Sequence, residues 1–289
     1  MAYEYSIIFA FLAMLCWGFG DFLIQKNARK IGDLESLTFI GIIGAIILFP
    51  FVIKDLIHLR VLGNLILLLF LGIITFIAGI LDFEALKKGK LSVIEVILEI
   101  ELPITLLLGY FILGERLNII QLLLIGFIFV GILLIAIRFE FIKNPRRFLE
   151  KGVLIGFIGA IVMGLLNFLT GFSAREISPV MAIWAPAVML SLIGLIIIYK
   201  REGYKKLIKN SRRYMILILS MGIIDTLAWL FYAFAMEKNP ITITTAITES
   251  YPVIGLFLGR FVNKEKIKLY QYFGAGLALM SCVVLAVLI

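Results

Sequence analysis

The chain has 289 residues, of which 62% are hydrophobic, with a mean hydropathy of +1.11 and a net charge of +8. That composition excludes an ordinary soluble domain and points to an integral membrane protein. Cys16 and Cys282 lie in apolar runs and His58 is the only histidine, so neither a disulfide framework nor a His- or Cys-based metal site or triad can be drawn.

Apolar runs long enough to cross about 30 Å of hydrocarbon recur along the chain. Their periodicity is helical, which excludes a barrel of alternating strands. Ten spans are predicted, at about 5–25, 36–53, 63–86, 91–113, 119–138, 152–174, 180–199, 214–236, 241–260 and 270–289. The first run, Ile7 to Gln25, has no basic stretch before it and no small-residue cleavage site, so it is read as a retained span. The expected fold is an all-α, multi-pass protein of the cell membrane with ten transmembrane helices.

The sequence repeats itself. Gly18-Phe19-Gly20-Asp21-Phe22-Leu23 aligns with Gly164-Leu165-Leu166-Asn167-Phe168-Leu169, and Ala28-Arg29-Lys30-Ile31 with Ala174-Arg175-Glu176-Ile177. Gly72-Ile73-Ile74 aligns with Gly222-Ile223-Ile224, and Pro103 with Pro252. The basic connection around Asn144-Pro145 divides the chain into repeats of 1–143 and 144–289. Five spans is an odd number, so the second copy must enter the membrane from the opposite side. The repeats are therefore expected to be inverted, with a site on their shared axis near the midplane.

Connections after odd-numbered spans carry 22 of the 27 Lys and Arg residues, and those after even-numbered spans carry 5. The positive-inside rule then puts the odd connections in the cytoplasm and both termini outside. The positive charge reads as orientation signal and lipid headgroup contact, with no nucleic-acid partner expected.

Several motifs together resemble the EamA family of the drug/metabolite transporter superfamily. Cys16-Trp17-Gly18-Phe19-Gly20-Asp21-Phe22 is similar to the family's first-helix Trp-Gly motif. Ala85-Leu86-Lys87-Lys88-Gly89, then Pro103, then Leu113-Gly114-Glu115-Arg116-Leu117 resemble its pattern across the third to fifth helices. The second repeat keeps a weaker form in Ala235 to Pro240, Pro252 and Lys264-Glu265-Lys266-Ile267. The resemblance implies a ten-helix carrier of small organic solutes such as amino acids, frequently an exporter. It also implies cytoplasmic termini. The charge count points the other way, and its bias is large enough to be preferred here.

Eight acids fall inside predicted spans: Asp21, Asp82, Glu84, Glu95, Glu99, Glu101, Asp225 and Glu249. Acids at membrane depth cost a few kcal/mol each on insertion scales, so they are candidates for function. Carboxyl groups taken out of water suit proton coupling or recognition of a cation. Glu99, Asp225 and Glu249 are the deepest. Glu95 and Glu99 share a helix face, whereas Glu101 lies about 200° from Glu99. Glu99, Glu101 and Glu249 shortly precede Pro103 and Pro252, where a kink frees a backbone carbonyl. Asp21 and its repeat counterpart Asn167 join the candidates, while Asp82 and Glu84 fit pairing with Lys87 or Lys88 equally well. Trp17, Trp229, Tyr232 and Tyr251 lie near these groups and could line a pocket. Trp184 and Tyr270 read as interfacial anchors. Small-residue runs such as Gly152-x3-Gly156 and Gly41-x2-Gly44-Ala45 predict close helix crossings.

The expectation is a secondary transporter of a small organic metabolite, working by alternating access, without a cofactor. Its partners would be that solute, membrane lipids and protons, and monomer and homodimer fit equally. Alternatives are a flippase for an amphipathic or lipid-linked substrate, and an integral-membrane enzyme using paired carboxylates. No nucleophile or phosphate motif supports the last.

Overall fold

A computed structural model describes residues 2–88, 97–136, 151–201, 203–262, 264 and 266–288. The described residues form helices and no strand: α1 (Ala2–Ile31), α2 (Asp33–Val52), a 3-10 helix (Ile53–Arg60), α3 (Leu62–Lys88), α4 (Glu101–Leu113) and α5 (Ile119–Ala136). After the undescribed connection come α6 (Lys151–Glu176), α7 (Pro179–Arg201), α8 (Lys205–Arg213), α9 (Met215–Lys238), α10 (Ile241–Thr248), α11 (Pro252–Phe261) and α12 (Leu269–Val287). Nine stretches among the described residues are long and apolar enough to cross a membrane, one of them made of α10 and α11 together. The fourth predicted span enters the described residues only at Ile97, as a short apolar helix, so the number ten remains a sequence expectation.

The main packing partners lie in opposite halves of the chain. Helix α1 runs along α9, α3 along α6, α2 along α7, and α5 along α12. Exchanging α1 for α6, α2 for α7, α3 for α9 and α5 for α12 maps this set of pairs onto itself. The glycines of the repeat show why. Gly18 lies against Ile254, and its counterpart Gly164 lies against Ile104. Gly72 lies against Met189, and its counterpart Gly222 against Ile43. Each pair is one contact made twice, with the halves exchanged.

Helices that pair with their own counterparts run antiparallel. Gly41 of α2 faces Ser191 while Thr38 faces Gly194; Gly131 of α5 faces Gly274 and Ala278 of α12. At both crossings the backbones nearly touch. A Cβ on Gly41 would sit 2.6 Å from the Ser191 nitrogen, and one on Gly131 would sit 2.7 Å from the Gly274 oxygen. Trp184 also serves this packing, because its indole N–H donates to the Ala45 carbonyl of α2 at 3.1 Å. That differs from the interfacial anchor expected from sequence, since the N–H is spent on a neighbouring helix.

Replacing Gly41 by Leu should therefore destabilise the bundle by about 1–3 kcal/mol, the usual cost of overpacking a close contact. Gly126 faces open space, so Gly126→Ala should leave the thermal unfolding midpoint in detergent unchanged. Equal midpoints for Gly41→Leu and the parent would contradict the packing described.

Candidate functional site: a polar cavity between broken helices

The spans that contain Pro103 and Pro252 are interrupted at matching places. Proline has no N–H to donate to the carbonyl four residues earlier. Before Pro103 that carbonyl belongs to Glu99, and Leu102 N–H donates to it at 3.3 Å. Before Pro252 it belongs to Thr248, and Tyr251 N–H donates to it at 3.1 Å. Both substitutes are three-residue bonds, which tighten the chain and turn it between helical segments. The turns centre on Glu99-Ile100 and on Glu249-Ser250-Tyr251.

One carboxyl group from each broken span meets at this level. Glu101 and Glu249 face each other within hydrogen-bonding reach, and both are buried. Asn167 Nδ2 donates to Glu249 Oε1 at 3.4 Å. Asn167 is positioned by Gly164, one turn earlier, where α6 passes against the α4 backbone; there Thr105 Oγ1 donates to the Gly164 carbonyl at 3.1 Å. Asp82 and Glu99 lie within electrostatic reach of Glu101.

These groups open on a cavity of about 820 Å³ lined from both halves. Of the residues expected from sequence, Trp17, Asp21, Glu101, Asn167, Asp225, Trp229, Glu249 and Tyr251 line it. Glu99 is buried near Glu101 but is not in the lining. Tyr232 is also absent from the lining: it is fully buried and shares a hydrogen bond of 2.7 Å with Thr245 Oγ1, beneath Trp17 and Trp229. Glu95 lies outside the described residues.

Asp82, which by its place near a span end fits pairing with Lys87 or Lys88 equally well, is in the lining. Its neighbours there, Phe83 and Gly79, show that the cavity follows α3 toward that helix's end. Thr170 and Thr226 also line it, and no sequence signal singled them out.

The cavity runs toward the α1–α2 connection, where Arg29, Gly32 and Asp33 form its rim. The opposite end is closed by a polar clamp. Arg175, at the end of α6, pairs with Glu115 at 3.0 Å. Arg175 also donates to the Met236 carbonyl from Nε at 2.9 Å and to the Asn239 carbonyl from Nη2 at 2.6 Å. Glu115 in turn accepts from Ile241 N–H at 2.8 Å, Thr242 N–H at 3.1 Å and Thr242 Oγ1 at 2.8 Å. Arg175 thus satisfies the carbonyl end of α9, and Glu115 satisfies the amide end of α10. Between clamp and cavity lies a sealed layer containing Tyr232, Met236 and Ile241, each with no exposed surface. Arg29, the repeat counterpart of Arg175, is exposed at the open rim.

A helical bundle of two related halves around a buried polar cavity is the construction of a multi-pass membrane protein that handles a solute. The family model of the EamA-like transporter family matches residues 4–137 and 150–287, and the chain belongs to that family, within the drug/metabolite transporter superfamily. It is a multi-pass integral membrane protein. A solved crystal structure shares the fold with a TM-score of 0.76 and 13% identity, covering 98% of this chain and 96% of that one. A search of curated proteins finds no match.

Removing the Glu115 carboxylate would leave a largely buried guanidinium and two helix-terminal N–H groups without their acceptor. Glu115→Ala should cost about 1–3 kcal/mol of stability, seen as a lower unfolding midpoint. An unchanged midpoint would contradict the clamp's role in holding that end shut.

Proposed function

We propose that the protein is a secondary transporter of a small organic solute, working by alternating access of the central cavity. The fold would be ten spans in two inverted repeats of five, with 1–143 and 144–289 as the moving halves. The observation that carries this reading is the unequal state of two equivalent ends. Arg175 is locked to Glu115 and two backbone carbonyls at the closed end, while Arg29 stands exposed at the open one. Two-fold-related ends held in different states are what a rocking carrier needs, because exchanging them carries the cavity from one side to the other. By the distribution of basic residues, the open rim beside the α1–α2 connection faces the cytoplasm.

Glu101 and Glu249 are the proposed proton-handling pair. Two carboxyl groups can share a hydrogen bond only when at least one holds a proton, since a carboxylate has nothing to donate. A proton held between the halves can leave when the pair separates or when a cation takes its place. Asn167, Asp82, Glu99 and Tyr251 surround the pair and would modulate that exchange. Asp21 and Asp225 would add charge to the solute site from the cavity wall.

Purified protein in proteoliposomes should carry a solute whose flux depends on the pH gradient. Glu249→Gln and Glu101→Gln should each remove that pH dependence while the protein remains monodisperse and helical. Gradient-dependent flux at the parent rate from both variants would overturn the assignment.

A further inference from the structure

We infer that the solute is a monovalent organic amine carrying an apolar, aromatic body, gripped by Asp225 and Asp21 beside Trp17 and Trp229. This deepens the carrier reading of the same cavity and rests on it.

Helices α1 and α9 lie antiparallel in a register that three contacts fix. The rings of Trp17 and Trp229 are 5.1 Å apart, Gly20 lies against Ile224, and Asn27 Nδ2 donates to the Leu217 carbonyl at 3.1 Å. Asp21 follows Trp17 by four residues on α1, and Asp225 precedes Trp229 by four on α9. Residues four apart share a helix face, so opposed helices place the two acids at one level and the two indoles at the next. The levels are separated by about 6 Å along the helix axes. All four side chains line the cavity.

Asp225 is the decisive group. It is only 7% exposed, it faces the cavity, and no hydrogen bond or ion pair reaches it among the described residues. A carboxyl group so placed in a membrane protein gives up its proton only when a positive partner sits beside it, and a bound cation would supply that partner. The adjacent Trp17 and Trp229 offer flat apolar surface and an electron-rich face for the same molecule. Among the described residues the rest of the lining also favours cations: four further side chains, Asp33, Asp82, Glu101 and Glu249, are carboxylic and one, Arg29, is basic. Arg29 lies at the rim, more than a helical turn from Asp21 along α1, so among the described residues of the lining a zwitterion held at Asp225 would find no cationic side chain for its carboxylate at that depth. An amine without a free acid meets no such penalty.

The test compares four probes: phenethylamine, phenylalanine, 3-phenylpropionate and n-butylamine. Binding to the detergent-purified protein is read by indole fluorescence and thermal shift, and flux by counterflow in proteoliposomes. Phenethylamine should bind and be carried, n-butylamine should bind more weakly, and the zwitterion and the anion should do neither. Asp225→Asn should weaken phenethylamine binding about tenfold or more, as loss of one charge-assisted contact does. Trp229→Leu should weaken it about fivefold. Asp225→Glu keeps the charge and should retain binding, which separates lost recognition from a folding defect in Asp225→Asn. Phenylalanine bound and carried in preference to phenethylamine would overturn the inference while leaving the carrier reading standing. Asp225-dependent binding of phenethylamine with no flux would uphold the inference and remove the carrier reading. Unchanged amine binding in Asp225→Asn, or no binding of either amine, would overturn the inference.

Discussion

Hydrocarbon offers no partner to an open backbone group, so a helix can be interrupted inside a membrane only where protein or enclosed water covers the break. Pro103 and Pro252 each deprive a carbonyl of its donor, and each break is repaired by an N–H one residue earlier in the chain. Glycines then bring the neighbouring helices close enough to cover the repair: Gly164 presses on Ile104 and the Glu101 carbonyl, and Gly18 presses on Ile254. Once covered, the breaks become the place where polar side chains can gather, and Glu101, Glu249 and Asn167 meet there.

The scaffold is duplicated and its chemistry is not. Asp21 in the first half answers to Asn167 in the second, Glu101 to Ser250, and Glu249 to Ile100. Each half contributes one carboxyl group to the central pair from a different step of its break, so the pair straddles the axis without being copied by it. The ends differ in the same way, since Glu115 and Arg175 tie three elements together on one side. In the proposed carrier, symmetry in the backbone would make two states of similar shape available, and asymmetry in the side chains would let those states differ in charge. The direction of net flux would follow the solute and proton gradients.

Much of the architecture was legible in the sequence because membrane helices carry long, regular signals. The apolar runs, the offset between Gly18 and Gly164, and the paired prolines all reappear as structural features. The cavity was less legible, because depth along a span does not say which face of a helix meets the other half. Helical geometry separated Glu99 from Glu101, yet depth favoured Glu99 while packing puts Glu101 in the lining. Tyr232 sits at a suitable depth, but its hydroxyl is spent on Thr245 under the aromatic layer. Glu115 and Arg175 stood in recognisable motifs, but their task was invisible because it depends on where α9 ends and α10 begins. Asp82 resembled a span-end residue because nothing in the sequence marks how far a cavity extends.

If the clamp holds one end shut while the cavity stays open at the other, the cavity of protein in oriented vesicles is reached from one side only. A single cysteine replacing Thr75, which lines the cavity, would be placed in a background with Cys16 and Cys282 changed to Ser. A membrane-impermeant thiol reagent should label it from the side of the α1–α2 connection and not from the other. Adding Arg175→Ala should expose it from the opposite side. Labelling from the far side with the clamp intact, or sidedness unchanged after its removal, would contradict the mechanism.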